Sequence, residues 1–314
     1  YNLFRYNNGM NEEKILVTGG SGLVGRSLKL IMPKAKYINS SDVNLLDYNE
    51  TLHFIKDFQP TTIVHSAAKV GGIIENLKYP VDFIEHNIIM NTNIVKASYM
   101  CDVKNFIGVL STCIYPNSSE HYPLTEVDLH EGPPPPQNFA YAYAKRCLGV
   151  HIDSYREQYN KKNWCYVIPC NLYGEYDKFD YERSHYVSSL IDKIYSTKDG
   201  KFELLGTGAP LRQFMYAGDL ALAIKSMISK DIYENVNVAT DEVLTIKQIA
   251  DIALEVLDKK HYSYSFTEEK IQDGQYRKDV SSEKLKNLLG GFEYTKLSDG
   301  IKKVYESYKG NHEK

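Results

Sequence analysis

The chain of 314 residues exceeds the usual size of one domain, and its 43% hydrophobic and 25% charged content is that of an ordinary globular protein. A net charge of -3 excludes recruitment of nucleic acid or of an anionic membrane by bulk charge, and no apolar run approaches the ~18 residues of a spanning helix. The five cysteines, Cys101, Cys113, Cys147, Cys165 and Cys170, form no C-x-x-C pair, so neither a disulfide framework nor a metal site is expected. Without a basic-then-apolar start the chain reads as cytoplasmic.

Residues 1–9 precede Met10 and read as a tag remnant or a loose extension. From there short apolar runs alternate with helical patterns. "KILVT" reads as a strand, followed by a helix from Gly22, the strand "KYIN", a helix over 49–58 and the strand "TIVHSAA". A helix over 81–100, the strand "NFIGVLS", a helix over 140–159 and the buried strand "WCYVIP" complete the series. This alternation predicts an α/β fold: a Rossmann-type, doubly wound parallel sheet with helices on both faces, spanning 10–174. The run "EGPPPPQNF" cannot continue a helix or a ladder and should be a stiff, extended lead-in to the helix after it. Beyond Gly174 shorter elements with glycine-rich joints predict a smaller mixed α/β substrate domain over 175–314, with returns to the first domain around 213–240.

"KILVTGGSGLVGRSLKL" sets Gly19, Gly22 and Gly25 directly after a strand and at the head of a helix. Glycines there allow a tight turn and close backbone approach to a pyrophosphate, while the helix start offers unpaired N–H groups. Ser21, Leu23 and Val24 belong to the same dinucleotide-binding loop. At the end of the second strand a carboxylate would bind the ribose hydroxyls of NAD. Here Ser40 and Ser41 stand in that place, which points to NADP, while Asp42 nearby keeps NAD open.

In "FAYAYAKR", Tyr141 and Lys145 are four residues apart and share a helix face, from which Tyr143 points away. The ammonium should favour the phenolate and lower the tyrosine pKa. Tyr305 and Lys309 repeat the spacing in what reads as a solvated amphipathic helix. In "LSTCIYP" the polar residues Ser111, Thr112 and Cys113 follow an apolar strand, where buried hydroxyls are costly unless used. If that strand lies beside the cofactor, Ser111 can hydrogen-bond the carbonyl oxygen that Tyr141 protonates.

The glycine loop with Ser111, Tyr141 and Lys145 resembles the extended short-chain dehydrogenase/reductase superfamily. The strings "AAKVGGI", "LSTCIYP", "YAYAKR", "IPCNLYG", "GTGAPLRQF" and "DGQYRK" resemble, more narrowly, the GDP-L-fucose synthase family. That resemblance implies an NADPH-dependent 3,5-epimerase and 4-reductase acting on a GDP-4-keto-6-deoxy sugar. It makes Ser111, Tyr141 and Lys145 the reductase set, Cys113 the base and His185 the acid of epimerisation. A 4-keto group acidifies the C3 and C5 protons, and a thiol and an imidazole suit their removal and return near neutral pH.

The resemblance extends the cofactor groove to Asn44 and Leu45, to Ala67, Ala68 and Lys69, and to Leu110, Pro169, Asn171 and Leu172. It places Val70, Gly71, Ser111, Thr112, Cys113 and Asn171 against the sugar, and Lys193, Arg212 and Lys278 with His185 on the substrate side, the cations facing the diphosphate. It also implies a homodimer built on the helices following Val81 and Ala140. After Gly174, where the family commonly continues Pro, His, Asp, Asn, Phe, this chain has Glu175, Tyr176, Asp177, Lys178 and Phe179, and with the changes in "YVSSL" and at Leu205 this points to a different sugar. The alternatives are a C4 reductase without epimerase activity acting on a larger GDP-4-keto sugar, such as a 6-deoxyheptose for capsule or surface polysaccharide, a nucleotide-sugar 4-epimerase or 4,6-dehydratase, and a non-catalytic NADP-binding protein.

Overall fold

The computed structural model describes residues 11–179 and 185–312, so the expectation for residues 1–9 lies outside the described residues. The first half follows the predicted alternation: β1 (Ile15–Thr18), α1 (Leu23–Ile31), β2 (Lys36–Ile38), α2 (Tyr48–Phe58), β3 (Thr62–His65), α3 (Ile73–Lys78), α4 (Pro80–Met100), β4 (Asn105–Val109), α5 (Phe139–Tyr159) and β5 (Trp164–Pro169). The strands β1, β3, β4 and β5 are buried throughout, as expected of a parallel sheet covered on both faces. Local chemistry sets the helix ends. Asp47 caps α2 by accepting the Glu50 N–H at 2.9 Å, and Asn160 closes α5 in the left-handed region at φ 54.

The short helix α3 was not foreseen. The strand "TIVHSAA" ends at His65, and residues 66–72 form a loop that delivers α3. The proline run is extended up to Pro135 and then tightens into a 3-10 turn, Pro136–Asn138, at the head of α5.

The second half supplies β6 (Asn171–Tyr173), α6 (Tyr186–Ser196), β7 (Lys201–Leu204), β8 (Leu211–Arg212), β9 (Phe214–Tyr216), α7 (Ala217–Ser229), β10 (Val236–Val238), β11 (Leu244–Thr245), α8 (Ile246–Val256), β12 (Ser263–Phe266), α9 (Glu283–Leu289) and α10 (Leu297–His312). The main sheet is parallel, in the order β10-β5-β4-β3-β1-β2. The chain leaves β1 for β2 on one side and β3 on the other, so a crevice opens beyond the carboxyl ends of β1 and β3, the place where such sheets bind ligands. β10 joins this sheet and α7 packs on α1. A second hydrophobic cluster, around Tyr173, Leu190, Ile194, Phe214, Leu254 and Val304, fills the space between α6, α8 and α10. Three two-stranded ladders, β6 with β9, β8 with β11 and β7 with β12, surround it. No described helix is long and apolar enough to cross a membrane.

Candidate active site

At the end of β1 the chain turns at Gly19 (φ 73), and Gly22 opens α1 with no side-chain cap. The first N–H groups of a nine-residue helix are thereby left for an anion. Gly25 is needed for contact: a Cβ there would lie 2.3 Å from the Gly19 carbonyl oxygen. Ser21 is exposed on this loop, and Leu23 and Val24 are half-buried behind it.

Ser40 and Ser41 are exposed at the end of β2. The Asp42 carboxylate accepts the Asn39 N–H at 2.9 Å, and Ser41 donates through N–H and Oγ to Asn39 Oδ1 at 2.9 and 2.6 Å. The one carboxylate of this turn is thus occupied in shaping it. Asn44 is exposed nearby, whereas the side chains of Leu45 and Leu110 lie in the core, so those two can face a ligand only through backbone. After β3, Ala67 and Ala68 are half-buried, and Asn87 clamps Lys69 from both sides, N–H to Oδ1 and Nδ2–H to carbonyl, each at 3.0 Å.

Helix α5 is buried at Ala140, Ala142 and Ala144 and packs against β4 and β5. Lys145 is 2% exposed and donates from Nζ to the Val109 carbonyl at 2.7 Å. Its Nζ lies 6.0 Å from the centre of the Tyr141 ring, which meets Phe83 edge-on at 6.3 Å. Burial lowers the Lys145 pKa to about 8 and, with the Cys113 thiol beside it, raises that of the Tyr141 phenol. The expected lowering of Tyr141 is corrected: an ammonium held on a carbonyl at that distance does not offset desolvation, and the phenol stays protonated. Tyr143 points outward over Arg146, as its position on the helix requires.

Ser111 Oγ accepts the Cys113 N–H at 3.4 Å as a 3-10 turn, Thr112–Ile114, begins. The turn aims Cys113 at a cavity of about 380 Å³ that Ser111, Tyr141 and Asn171 also line. Thr112, 2% exposed, is not among the residues that line the cavity, whereas Cys113, 3% exposed, is. Burial raises the Cys113 thiol pKa, while the Ser111 hydrogen bond and the Lys278 and Lys145 charges pull against that rise. Arg146, which the sequence did not single out, holds this turn by donating from Nε to the Ile114 carbonyl at 3.0 Å and from Nη1 to Gly132 at 3.0 Å.

Val70, Gly71, His185, Lys193, Arg212 and Lys278 line the same cavity. Residues spread from 70 to 278 therefore meet at one cavity. Arg212 is fixed by its own loop, donating to the carbonyls of Leu211 at 2.8 Å and Asp273 at 2.7 Å, and burial lowers its pKa to about 10. Lys278 is lowered to about 8 by burial and by the Arg212 charge. Two cations crowded in this way call for an anion between them. Lys193 donates to the Glu203 carbonyl, and burial lowers its pKa too. Asn171 donates to the Gln213 carbonyl at 2.8 Å, between the half-buried Leu172 and the buried Pro169.

His185 pairs through Nδ1 with the Asp177 carboxylate at 3.1 and 3.2 Å, a partner the sequence did not reveal. Burial lowers the imidazole pKa, but the Asp177 hydrogen bond and charge outweigh it and leave it above the usual value. Glu175 and Tyr176 are not among the residues that line the cavity. The Tyr216 hydroxyl donates to Glu175 at 2.7 Å, and the Tyr176 ring sits 5.4 Å from the Arg26 guanidinium. Leu205, Tyr186 and Ser189 do line the cavity.

A hydrogen-bond chain ties the two sides of the crevice together. Thr18 Oγ1 meets His65 Nδ1 at 2.8 Å, His65 Nε2 meets Asn91 Oδ1 at 2.9 Å, and Asn91 Nδ2 donates to the Ala144 carbonyl at 3.3 Å. Burial and the Lys145 charge lower the His65 pKa to about 3, so the ring is neutral. With Asn91 Oδ1 as acceptor, the proton is on Nε2 and Thr18 donates to Nδ1.

Residues 15–239 match the NAD dependent epimerase/dehydratase family. The GDP-L-fucose synthase of Dictyostelium discoideum is 34% identical over 96% of this chain and 97% of its own length. The GDP-L-colitose synthase of Yersinia pseudotuberculosis is 30% identical over 94% of this chain and 97% of its own. Among solved structures, a GDP-L-fucose synthetase from Naegleria fowleri bound to NADP superposes with a TM-score of 0.83 at 33% identity, over 95% of this chain and 94% of that one. Sequence, sheet order and relatives agree that the chain belongs to the NAD dependent epimerase/dehydratase family and, within it, to the GDP-L-fucose synthase family.

Proposed function

We propose that the protein is an NADPH-dependent C4 ketoreductase of a GDP-4-keto-6-deoxy sugar that also inverts C3 and C5. One observation carries this reading: Ser111, Tyr141, Cys113 and His185 line a single cavity together with the cation pair Arg212 and Lys278. The open start of α1 suits a pyrophosphate, and the serine turn after β2, whose carboxylate is already engaged, suits a 2'-phosphate. NADPH bound there would supply a hydride. Tyr141, protonated in its buried setting, gives its proton to the C4 oxygen while the Ser111 hydroxyl holds that oxygen. Lys145 provides the positive charge beside the phenol as it loses its proton.

For inversion the Cys113 thiolate takes the proton from C3 or C5, and the enolate oxygen is stabilised by the same Tyr141 and Ser111 donors. His185 returns a proton to that carbon. The long helices α4 and α5 expose Val81, Ile88, Ile89 and Val150, which supports a homodimer seated on them, and the two apolar clusters support separate cofactor and substrate domains.

The test is incubation with GDP-4-keto-6-deoxymannose and NADPH in deuterated water. Cofactor oxidation with deuterium at C3 and C5 of the product is expected. Oxidation without deuterium overturns the epimerase half. Oxidation only with a GDP-4-keto-heptose overturns the hexose half and favours the larger sugar, a reading supported by Leu205 in the cavity wall.

A further inference from the structure

We propose that Asp177 is a positioning residue of this site: by taking Nδ1–H of His185 it presents the imidazole to the cavity through Nε2 and makes it the proton donor of epimerisation. The inference rests on the epimerase reading for its chemical role, while the pairing itself stands on geometry.

Asp177 is only 5% exposed in its side chain, and an isolated carboxylate would not be buried so deeply. It accepts three kinds of donor: the His185 ring at 3.1 and 3.2 Å, the Ser188 hydroxyl at 2.6 Å, and the Lys178 N–H at 2.9 Å. Ser188 is in the first turn of α6 and 0% exposed, and His185 is the residue that opens that helix. The carboxylate therefore fixes both the ring and the helix that carries it. A ring held at Nδ1 by an acceptor has one tautomer when neutral and is stabilised when charged. The imidazole is itself 44% exposed and lines the cavity, so the opposite ring nitrogen is the one a substrate meets.

Charges around the ring divide by sign. Asp177 favours the charged ring, whereas Lys178 in the same loop and Lys278 disfavour it, and Lys193, Arg212 and Asp273 line the rest of the cavity. The Lys278 and Lys178 charges oppose protonation of His185, and the Asp177 carboxylate outweighs them and favours the charged ring. In the step itself a C–H bond breaks as Cys113 gains a proton, and Nε2–H breaks as the new C–H bond forms on the same carbon. A neutral imidazole remains, with Nδ1–H still on Asp177, and thiol and ring re-equilibrate with solvent before the next turn.

The experiment follows the His185 ring proton by NMR across pH in the wild type, Asp177→Asn and Asp177→Glu, alongside deuterium incorporation at C3 and C5. In Asp177→Asn the His185 pKa is expected to fall by roughly one unit or more. Deuterium incorporation should drop about tenfold with its optimum displaced to more acid pH, while reduction of an already epimerised ketone stays within about twofold. Asp177→Glu should recover much of both readouts. An unchanged His185 titration in folded Asp177→Asn overturns the pairing. Loss of reduction in step with exchange overturns the positioning role in favour of a structural one. A wild type that incorporates no deuterium, with a His185 pKa that still depends on Asp177, overturns the epimerase reading and leaves the pairing standing.

Discussion

Two tyrosine-lysine pairs with the same spacing sit on two helices of this molecule, and only one of them faces the crevice. On α5, Lys145 is buried against β4 and donates to Val109, with Tyr141 on the cavity wall. On α10, Tyr305 packs edge-on against Tyr195 at 6.3 Å, beside the apolar face formed by Ile301, Val304 and Tyr308. The spacing puts both members of each pair on one helix face, but what that face is packed against decides whether it does chemistry. α5 lies on the central sheet at the carboxyl end of β4, whereas α10 lies on the second apolar cluster. Position at a topological switch point, and not the motif, carries the information.

The largest effect is expected of Tyr141→Phe. Ketone reduction should fall about 10²- to 10⁴-fold while NADPH still binds, measured by steady-state rates and a fluorescence titration. Unchanged turnover would sink the assignment of the proton to Tyr141. Gly25→Ala comes next, because its Cβ would collide with the Gly19 carbonyl oxygen and lie 2.6 Å from the Gly20 Cα, backbone that cannot swing away. A stability loss of about 1–3 kcal/mol and at least tenfold weaker NADPH binding are expected, read from thermal unfolding and titration.

A smaller effect distinguishes the buried lysines from ordinary ones. Lys145 and Lys278 have pKa values lowered from 10.5 to about 8, so kcat/KM should decline as pH rises through about 8 and both ammoniums are lost. Stability moves the other way. Between about 8 and 10.5 the unfolded chain holds protons that the folded chain has released, so unfolding free energy contributed by these two groups rises with pH. A rate profile flat to pH 10 would contradict the charge requirement. The smallest effect belongs to Tyr305→Phe, which should leave kcat within about twofold and stability within about 0.5 kcal/mol.

Most of the sheet was legible because each buried strand is a short apolar run and each helix carries its own start and stop signals, such as Asp47 and Asn160 on α2 and α5. The phosphate loop and the Tyr141–Lys145 pair were legible for the same reason: they are local patterns. Contacts made across the fold were not. The pairing of Asp177 with His185 depends on how residues eight apart fold back before α6, and no periodicity signals it. Thr112 was assigned to the sugar by its neighbours, yet in the 3-10 turn both it and Cys113 are buried and only Cys113 lines the cavity. Glu175 and Tyr176 looked like specificity changes because they precede His185, but Tyr216 and Arg26 draw them off the cavity.

The chain from Thr18 through His65 and Asn91 to Ala144 has a mechanical meaning. Its first link belongs to the strand that feeds the phosphate loop, and its last to the helix turn just before Lys145. The end of β1 that leads into the glycine loop and the helix that carries Tyr141 and Lys145 are thus braced as a single frame. The brace is an uncharged histidine with a pKa near 3, whereas His185 is held above the usual imidazole value, so the two rings answer to different pH ranges.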